Sequence, residues 1–255
     1  MKTMRIIGVC FVAVFALSAS ASAKLPQILL KEPAGGFPGI FTSVNLPAPN
    51  NIARIETVGD TSVTCTAETG GGTVETAHLG KVKLNFTGCG TEILGSKIEC
   101  ESSGAGKGTI ILNLELHLGL EHTSTSTTVP ALLLLLPGGL SGSFTFKCGG
   151  SLATIVLKGD LNCLLVDLEG KAVVKEHAYT SIQLNCKQTH GVQNSKEFLL
   201  SLVPETERLM TGGHLSSSLN GGTAEEAGLE SEDAIEKFEN SKKEAVSAEF
   251  VLEEE

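Results

Sequence analysis

The most constraining feature of this sequence is a long run in which apolar and polar residues alternate. Between positions 110 and 120 every second residue is apolar, and Asn113, Glu115 and His117 lie between them. A period of two is that of a strand with one dry face, whereas a helix would scatter these residues around its axis. The run therefore predicts a long strand. Its apolar positions are Ile110, Leu112, Leu114, Leu116, Leu118 and Leu120.

Other segments extend this pattern along the chain. Val82, Leu84 and Phe86 alternate with polar neighbours, and the leucine-rich run 131–136 lies between two prolines. That run is too short to cross a bilayer and is typical of a strand buried on both faces. Further strands are predicted within 143–147, 152–166, 180–187 and 197–202. We predict an all-β fold, an antiparallel β-sandwich or flattened barrel of about ten strands, stabilised by disulfides.

The N-terminus has the features of a secretory signal peptide. A basic start is followed by an apolar run at 6–17 and a small-residue cleavage site, so we expect 1–23 to be removed after Ala23. Residues 24–51 are rich in Pro and Gly and are interpreted as an extended leader. The all-β domain is expected over 52–240, with an acidic C-terminal tail over 241–255.

Six cysteines follow the expected cleavage site. An even number in an exported chain predicts three disulfides, and no C-x-x-C pair indicates zinc or thiol redox chemistry. Spacing alone leaves the connectivity open. The six are Cys65, Cys89, Cys100, Cys148, Cys163 and Cys186.

The charge distribution argues against nucleic acid as a partner. The formal net charge is −10, and residues 225–255 carry twelve acidic and three basic side chains. An acidic chain without a basic patch binds phosphate backbones and anionic membranes poorly. The acidic segment is interpreted as a solvated face; its helical composition and the alternation of "AIEKFE" leave helix and strand open.

Two short motifs suggest enzymes but lack the required context. "GAGKGT" at 104–109 resembles a phosphate-binding loop, yet Glu101 stands where its first Gly belongs, and a strand follows instead of a helix. We therefore expect 102–108 to be a loop between strands, and neither binding nor hydrolysis of ATP. "GLSGS" at 139–143 lacks the last Gly of a nucleophile elbow and precedes a predicted strand, so Ser141 is expected in a turn.

No local pattern supports a metal, cofactor or catalytic site. The histidines show no H-x-H or H-x-x-x-H spacing, and neither a calcium loop nor a local carboxylate pair occurs. The absence of Trp and the single Tyr disfavour sugar stacking. We expect no enzyme, no cofactor and no metal. The histidines are His78, His117, His122, His177, His190 and His214.

Several phrases resemble a group of uncharacterised secreted bacterial proteins. They are "ETVGDTSVTCTAETGGGTV", "LGKVKLNFTGC", "GSFTFKC" and "EEAGLESEDAIEKFE", within Ile52 to Phe238. The resemblance implies export and an all-β fold, and it carries no catalytic signature. It implies that Cys65, Cys89, Cys100 and Cys148 are shared, that Cys163 and Cys186 are an addition, and that "AIEKFE" is a closing strand.

With that resemblance, we predict three disulfide pairs. Cys89 and Cys100 flank a short glycine-containing loop and are expected to pair locally. Cys163 and Cys186 lie in successive predicted strands and form the extra couple, which leaves Cys65 with Cys148. The function expected is that of a non-catalytic extracellular or cell-envelope protein, structural or binding, with an extracellular or envelope protein as partner. The alternative is a secreted hydrolase whose site is assembled from distant residues.

Overall fold

The computed structural model describes residues 26–31, 36–46, 53–93, 95–122, 128–174, 177–194, 197–203, 206–211 and 214–252. Within these ranges the chain forms β-strands and one 3₁₀ turn, Gly139–Ser141, with no α-helix. The strands are β1 (Pro26–Lys31), β2 (Gly39–Asn45), β3 (Ala53–Thr57), β4 (Ser62–Cys65), β5 (Ala67–Val74), β6 (Leu79–Thr87), β7 (Gly90–Ile93), β8 (Ser96–Ser102), β9 (Thr109–His122), β10 (Thr128–Leu135), β11 (Ser143–Cys148), β12 (Ala153–Lys158), β13 (Asp160–Val166), β14 (Ala178–Tyr179), β15 (Ile182–Cys186), β16 (Gln188–Thr189), β17 (Val192–Gln193), β18 (Glu197–Val203), β19 (Thr206–Thr211), β20 (Ser216–Leu219), β21 (Glu225–Glu239) and β22 (Ala245–Leu252).

Eight strands close into an antiparallel barrel, here called the main barrel. Its order is β2, β5, β6, β9, β10, β13, β15 and β21, and β21 pairs back with β2. The alternating run predicted from the sequence is β9, whose even-numbered residues from Ile110 to Leu120 are buried. Leu112 lies opposite Leu84, and Leu114 lies opposite Val82, so β6 turns its apolar positions to the same side. The alternation is therefore confirmed as the wall of a barrel.

The leucine-rich run is confirmed as a strand with both faces buried. Leu134 points into the barrel with Leu116 opposite it, while Leu133 points outward and packs with Ala131 and Leu135. All four leucines from Leu133 to Leu136 are buried. A strand without a wet face has no need of polar residues at alternate positions.

A second circuit of antiparallel pairings also closes on β21, and we call it the small ring. Its order is β21, β3, β4, β7, β8, β11, β12 and β20. Five connections cross between the main barrel and the small ring, each joining a strand of one to a strand of the other. They are residues 66, 88–89, 103–108, 136–142 and 159. The four hairpin turns of the small ring, after β3, β7, β11 and β20, therefore lie together at its far end.

Strands lie within both segments that the sequence analysis assigned to a leader and an acidic tail. β1 lies within the expected leader and β22 within the expected tail, and the two pair over their whole lengths. β22 also pairs with β14 and joins β21, and Ile28 and Phe250 are buried against the main barrel. Proline and acidic composition suggested solvated segments, but alternate apolar positions gain more by burial. We call β1, β14 and β22 the cap.

The acidic composition of β21 suggested a solvated face, but much of the strand is buried. Its apolar residues alternate inward, while Glu230 and Glu232 point outward and contact basic side chains. Arg54 Nη2 lies 3.1 Å from Glu230, and Lys187 Nζ lies 3.6 Å from Glu232. The closing strand implied by "AIEKFE" is present as part of β21. The all-β expectation is confirmed. The expected number of about ten strands is too low, because the strands form two closed circuits.

The disulfides of the structure are Cys65–Cys89, Cys100–Cys148 and Cys163–Cys186. The predicted Cys163–Cys186 pair is therefore present, and the predicted Cys89–Cys100 and Cys65–Cys148 pairs are wrong. Four of the cysteines form a row across β4, β7, β8 and β11. Pairing the middle two would leave the outer two about 14 Å apart, three strand spacings, and far beyond bonding distance.

The backbone ladder also disfavours the middle pairing. The Cys100 amide donates to the Cys89 carbonyl, which places the two residues at a hydrogen-bonding position of the ladder, while the Cys89 amide donates to the Gly108 carbonyl. Side chains lie closer at the non-hydrogen-bonded positions of an antiparallel ladder. The two disulfides of the row have Cα separations of 3.9 Å, nearer to the spacing of about 4.5 Å at non-hydrogen-bonded positions than to about 5.5 Å at hydrogen-bonded ones. The short loop between Cys89 and Cys100 was therefore a misleading criterion.

Candidate functional site

The turn end of the small ring forms a cleft of about 380 Å³, which we call the hairpin mouth. It is built by hairpins from distant parts of the chain, because every hairpin of the ring turns at this end. The mouth lies away from the main barrel, which leaves it open to a partner. Its lining residues are Asp60, Thr61, Ser62, Thr91, Glu92, Ile93, Leu152, Ala153, Ile155, Leu219 and Asn220.

Large apolar side chains stand exposed around the mouth. Leu152 is 67% exposed and Leu219 is 42% exposed, and Val58 in the β3–β4 turn is exposed nearby. Single exposed apolar residues are ordinary, but a cluster at a cleft marks a surface suited to contact. Ala153 and Ile155 continue this apolar surface into the buried floor.

Hydrogen bonds hold two of the turns in a fixed arrangement. The Thr154 amide donates to Asn220 Oδ1 at 2.7 Å, and Asn220 Nδ2 donates to the Leu152 carbonyl at 3.3 Å. Asn220 has φ of 52° and Asp60 has φ of 62°, a region that Asn and Asp tolerate better than most residues. Leu152 is thus presented by a turn that is tied to its neighbour.

The charged side chains that line the mouth are carboxylates. Asp60 and Glu92 line it and are exposed, and the Glu225 carboxylate lies against Gly59 beside it. Lys97 lies opposite Glu92 on the next strand and is the nearest cation in the ladder. The Thr91 hydroxyl is already used, because it donates to the Ser62 carbonyl at 2.7 Å. The mouth therefore favours a cationic ligand with apolar groups.

A second polar cluster lies inside the main barrel. The Ser231 hydroxyl lies 2.8 Å from Glu68 Oε2 and 2.9 Å from Asp233 Oδ2, and Asn45 Nδ2 donates to Asp233 Oδ1 at 3.2 Å. One hydroxyl proton serves only one of the two carboxyls, so the other contact requires a protonated carboxyl. Glu68 is 3% exposed and Asp233 is 2% exposed.

Burial changes the acidity of this carboxyl pair. Burial first, and then the charge of Asp233, raises the pKa of Glu68 well above its usual range. Burial raises the pKa of Asp233 to about 6, although hydrogen bonds from Ser231 and Glu68 oppose the rise. The pair shares protons as neighbouring carboxylates do, but its burial keeps any substrate away.

The motifs singled out in the sequence are placed as loops and turns. "GAGKGT" runs through the loop from β8 into β9, and Gly104 and Gly108 have φ of 78° and 69°. Its carbonyls and amides bond within the turn and to Cys89. Ser141 ends the 3₁₀ turn before β11, as expected. Among the described residues, no group of three or more His, Cys, Asp or Glu side chains could hold a metal ion.

The sequence indicates the individual turns of the mouth but not that they lie together in the fold. "TVGD", "CGGSL" and "LNGG" each carry turn residues, yet nothing local says that they converge. The Glu68–Asp233 pair is separated by most of the chain and was likewise invisible to a search for local carboxylate pairs. Pairing between strands that are distant in the sequence creates both sites.

Comparison with known proteins adds no relative. No protein-family model, no curated protein and no solved structure matches the chain. Within the described ranges, no helix is long and apolar enough to span a bilayer. The three disulfides indicate an oxidising environment.

Proposed function

We propose that this chain is an exported, non-catalytic binding protein whose hairpin mouth takes a cationic, apolar peptide segment of an extracellular or cell-envelope protein. The observation that carries the proposal is the joint presence of Leu152, Leu219, Asp60 and Glu92 around one cleft. A peptide that alternates basic and apolar side chains satisfies both features. The signal peptide expected at 1–23 lies outside the described residues, and export is part of this proposal.

The size and stiffness of the mouth support peptide binding. A cleft of about 380 Å³ lies within the range of ligand sites and accommodates a few side chains. The Asn220 side chain holds two of the turns together, and disulfides crosslink the strands behind them. The turns therefore need little further ordering when a peptide binds. A preorganised site loses less conformational entropy on binding.

The alternative, a secreted hydrolase, draws on the Glu68–Asp233 pair. Paired carboxyls with raised pKa values are common in catalytic sites. Hydrolysis, however, needs a substrate within hydrogen-bonding reach, and both carboxyls are buried inside the barrel. The proposed binding role therefore depends on side chains that a partner can reach. The hydrolase would depend on carboxyls that a substrate cannot reach.

Fluorescence anisotropy with two designed peptides tests the proposal. We expect a labelled peptide that alternates Lys and Leu to bind saturably, and a matched Glu and Leu peptide to bind at least tenfold more weakly. Affinity for the basic peptide should fall with added salt, because exposed charges are screened. Equal binding of both peptides, or of neither, contradicts the proposal.

Variants locate the interaction at the mouth. Leu152→Ser should weaken binding about tenfold, as loss of one buried leucine contact implies. The double variant Asp60→Asn, Glu92→Gln should weaken it several-fold and flatten the salt dependence. Leu168→Ser is the matched control, because Leu168 is similarly exposed but lies after β13, away from the mouth. Equal loss in the control assigns the binding to nonspecific apolar contact.

A further inference from the structure

The buried carboxyls Glu68 and Asp233 lie where the main barrel meets the small ring. β21 pairs with β3 of the ring as far as Glu230 and with β15 of the barrel from Ser231 onward, so Asp233 lies just inside the barrel. Glu68 is the second residue of β5, which follows the ring strand β4 after one connecting residue. Both carboxyls therefore belong to stretches of chain that cross from one circuit to the other.

Side chains join β5 to β21 at this junction, because β2 lies between the two strands. Asp233 lies opposite Asn45 on β2, and the pairing of β2 with β5 extends to Thr69, the neighbour of Glu68. The Ser231 hydroxyl bridges the two outer strands, since it contacts one oxygen of each carboxyl. The cluster therefore holds together two strands that share no backbone hydrogen bonds at this level.

The contacts of the cluster require a proton on one carboxyl. The Ser231 hydroxyl has one hydrogen and donates it to Glu68 or to Asp233, but not to both. A protonated carboxyl supplies the second hydrogen bond, and then every contact is made. If both carboxyls are ionised, two acceptors face each other across one hydroxyl. Glu68 Oε1 and Asn45 Oδ1, which are buried without a hydrogen-bond partner, supply no further hydrogen.

Among the described residues of the neighbouring strands, none places a cation beside this pair. Asp233 lies opposite Leu184 on β15, and Glu68 lies opposite Phe86 on β6. β2 contributes the neutral side chain of Asn45. Burial, and then the charge of Asp233, raises the pKa of Glu68. Each carboxyl therefore faces the other as its principal charged neighbour.

The other charged groups near the junction act elsewhere. Glu230 and Glu232 point outward from β21 and bind basic side chains. Of the remaining buried carboxyls in the described part of the chain, Glu121 lies at the far end of β9. Asp160 accepts a hydrogen bond from the His214 amide at 3.4 Å. Protonation of the pair is therefore set by its own contacts and its burial.

We propose that this carboxyl pair is a proton-dependent latch between the main barrel and the small ring. One proton shared by Glu68, Ser231 and Asp233 keeps β5 and β21 together across β2. Loss of that proton to solvent leaves two carboxylates in contact, and their repulsion opens the junction to water. The two circuits keep their own backbone pairings, so the opening is local.

The latch is closed at low pH and opens as the pH rises. Burial raises the pKa of Asp233 to about 6 and raises that of Glu68 well above its usual range. As the pH increases, the pair therefore loses its first proton near pH 6 and its last proton at a higher pH. The last proton holds the two strands together, so opening follows the second step.

Carboxyl ¹³C NMR and amide hydrogen exchange of the full protein test the latch. Between pH 5 and pH 9 we expect Glu68 and Asp233 to titrate in two steps, with the second above pH 6. Protection factors, corrected for the intrinsic effect of pH on exchange, should fall at least tenfold across the second step at 67–69 and 231–233. Those of the β6–β9 ladder should fall by a smaller factor.

Two variants that keep the pair from becoming doubly ionised check the cause. Glu68→Gln and Asp233→Asn each remove one ionisable group and retain a donor amide, so protection at the junction should no longer depend on pH. Glu232→Gln, on the outer face of β21, is the matched control and should keep the native pH dependence. The two variants are independent, so a folding failure in one leaves the other as the test.

Three results overturn the latch. The first is that both carboxyls are ionised below pH 6 in the native protein. The second is that the junction keeps its protection after the last proton is lost, or that the whole barrel loses protection by the same factor. The third is that a folded Glu68→Gln or Asp233→Asn protein shows the native dependence of junction exchange on pH.

Discussion

The main barrel and the small ring share β21 but are stabilised in different ways. The barrel is built from long strands such as β9 and β6, and its interior is filled by leucine, isoleucine and phenylalanine. Apart from the shared β21, the small ring uses strands of four to seven residues and encloses a smaller core around Phe146. It holds two of the three disulfides. Short strands bury little apolar area, so covalent links supplement their packing.

The main barrel and the small ring also differ in the roles that we assign to them: the barrel is the scaffold, and the ring carries the candidate binding site. The barrel keeps its acidic pair inside, whereas the ring presents turns and exposed leucines outside. Loops carry binding functions most readily when a rigid scaffold positions them. The molecule thus combines a packed barrel with a crosslinked ring that bears the candidate site.

The largest effect is expected from the core of the small ring. Phe146 is fully buried there, and Phe146→Ala should cost about 3–5 kcal/mol of unfolding free energy. Leu116→Ala in the barrel should cost less, about 2–3 kcal/mol, because Leu116 already borders a cavity. Chemical denaturation measures both. A greater loss for Leu116→Ala would show that the ring contributes less packing than this comparison holds.

Removal of single disulfides should produce the next effect. The double variant Cys100→Ala, Cys148→Ala should lose about 2–4 kcal/mol, and hydrogen exchange should speed up in the small ring first. The Cys163–Cys186 disulfide closes a loop of 23 residues, against 48 for Cys100–Cys148. The double variant Cys163→Ala, Cys186→Ala should therefore lose less unfolding free energy, by about 0.6 kcal/mol. Uniform exchange in both variants would contradict a ring that depends on its crosslinks.

Stability should fall as pH rises, because of the carboxyl pair in the barrel. The pKa of Asp233 is about 6 in the folded state, against about 3.9 in the unfolded chain. The native state therefore holds more protons, and the stabilisation is complete below about pH 4 and lost as pH rises through 6 and beyond. From Asp233 alone we expect a loss of about 1.4 kcal/mol between pH 5 and pH 8.

Glu68→Gln isolates the pair from other titrating groups. The amide keeps a donor toward Asp233 but cannot ionise, so the difference in unfolding free energy between pH 5 and pH 8 should shrink. Glu169→Gln, at an exposed side chain away from the barrel interior, is the control and should leave the native profile unchanged. An unaltered profile in Glu68→Gln would remove the pair as the cause.

The smallest effect on stability is expected at the hairpin mouth. Leu152→Ser should change the unfolding free energy by no more than about 0.5 kcal/mol, since the side chain is exposed. The same variant should lose peptide affinity. A thermal shift assay beside the anisotropy measurement separates the two readouts. A large destabilisation would make Leu152 a structural residue rather than a contact residue.

Local patterns predicted the parts of this fold that depend on local physics. The period of two identified β9, and the proline-bounded leucines identified the doubly buried β10. Cysteine pairing was beyond reach because it depends on the order of β4, β7, β8 and β11 across the sheet. The cap was missed because composition at both termini outweighed short alternations in β1 and β22. The hairpin mouth exists only once the small ring closes, and the Glu68–Asp233 pair only once β5 and β21 flank β2.

Amide mapping by NMR tests the binding role of the small ring most directly. The isotope-labelled protein is titrated with the alternating Lys and Leu peptide, and shifts are followed at every assigned amide. We predict saturable changes confined to the turns around Asp60, Glu92, Leu152 and Asn220, with the β5–β6 turn unaffected. Changes centred on the main barrel or its cap, or spread evenly over the surface, would contradict the assignment of recognition to the hairpin mouth.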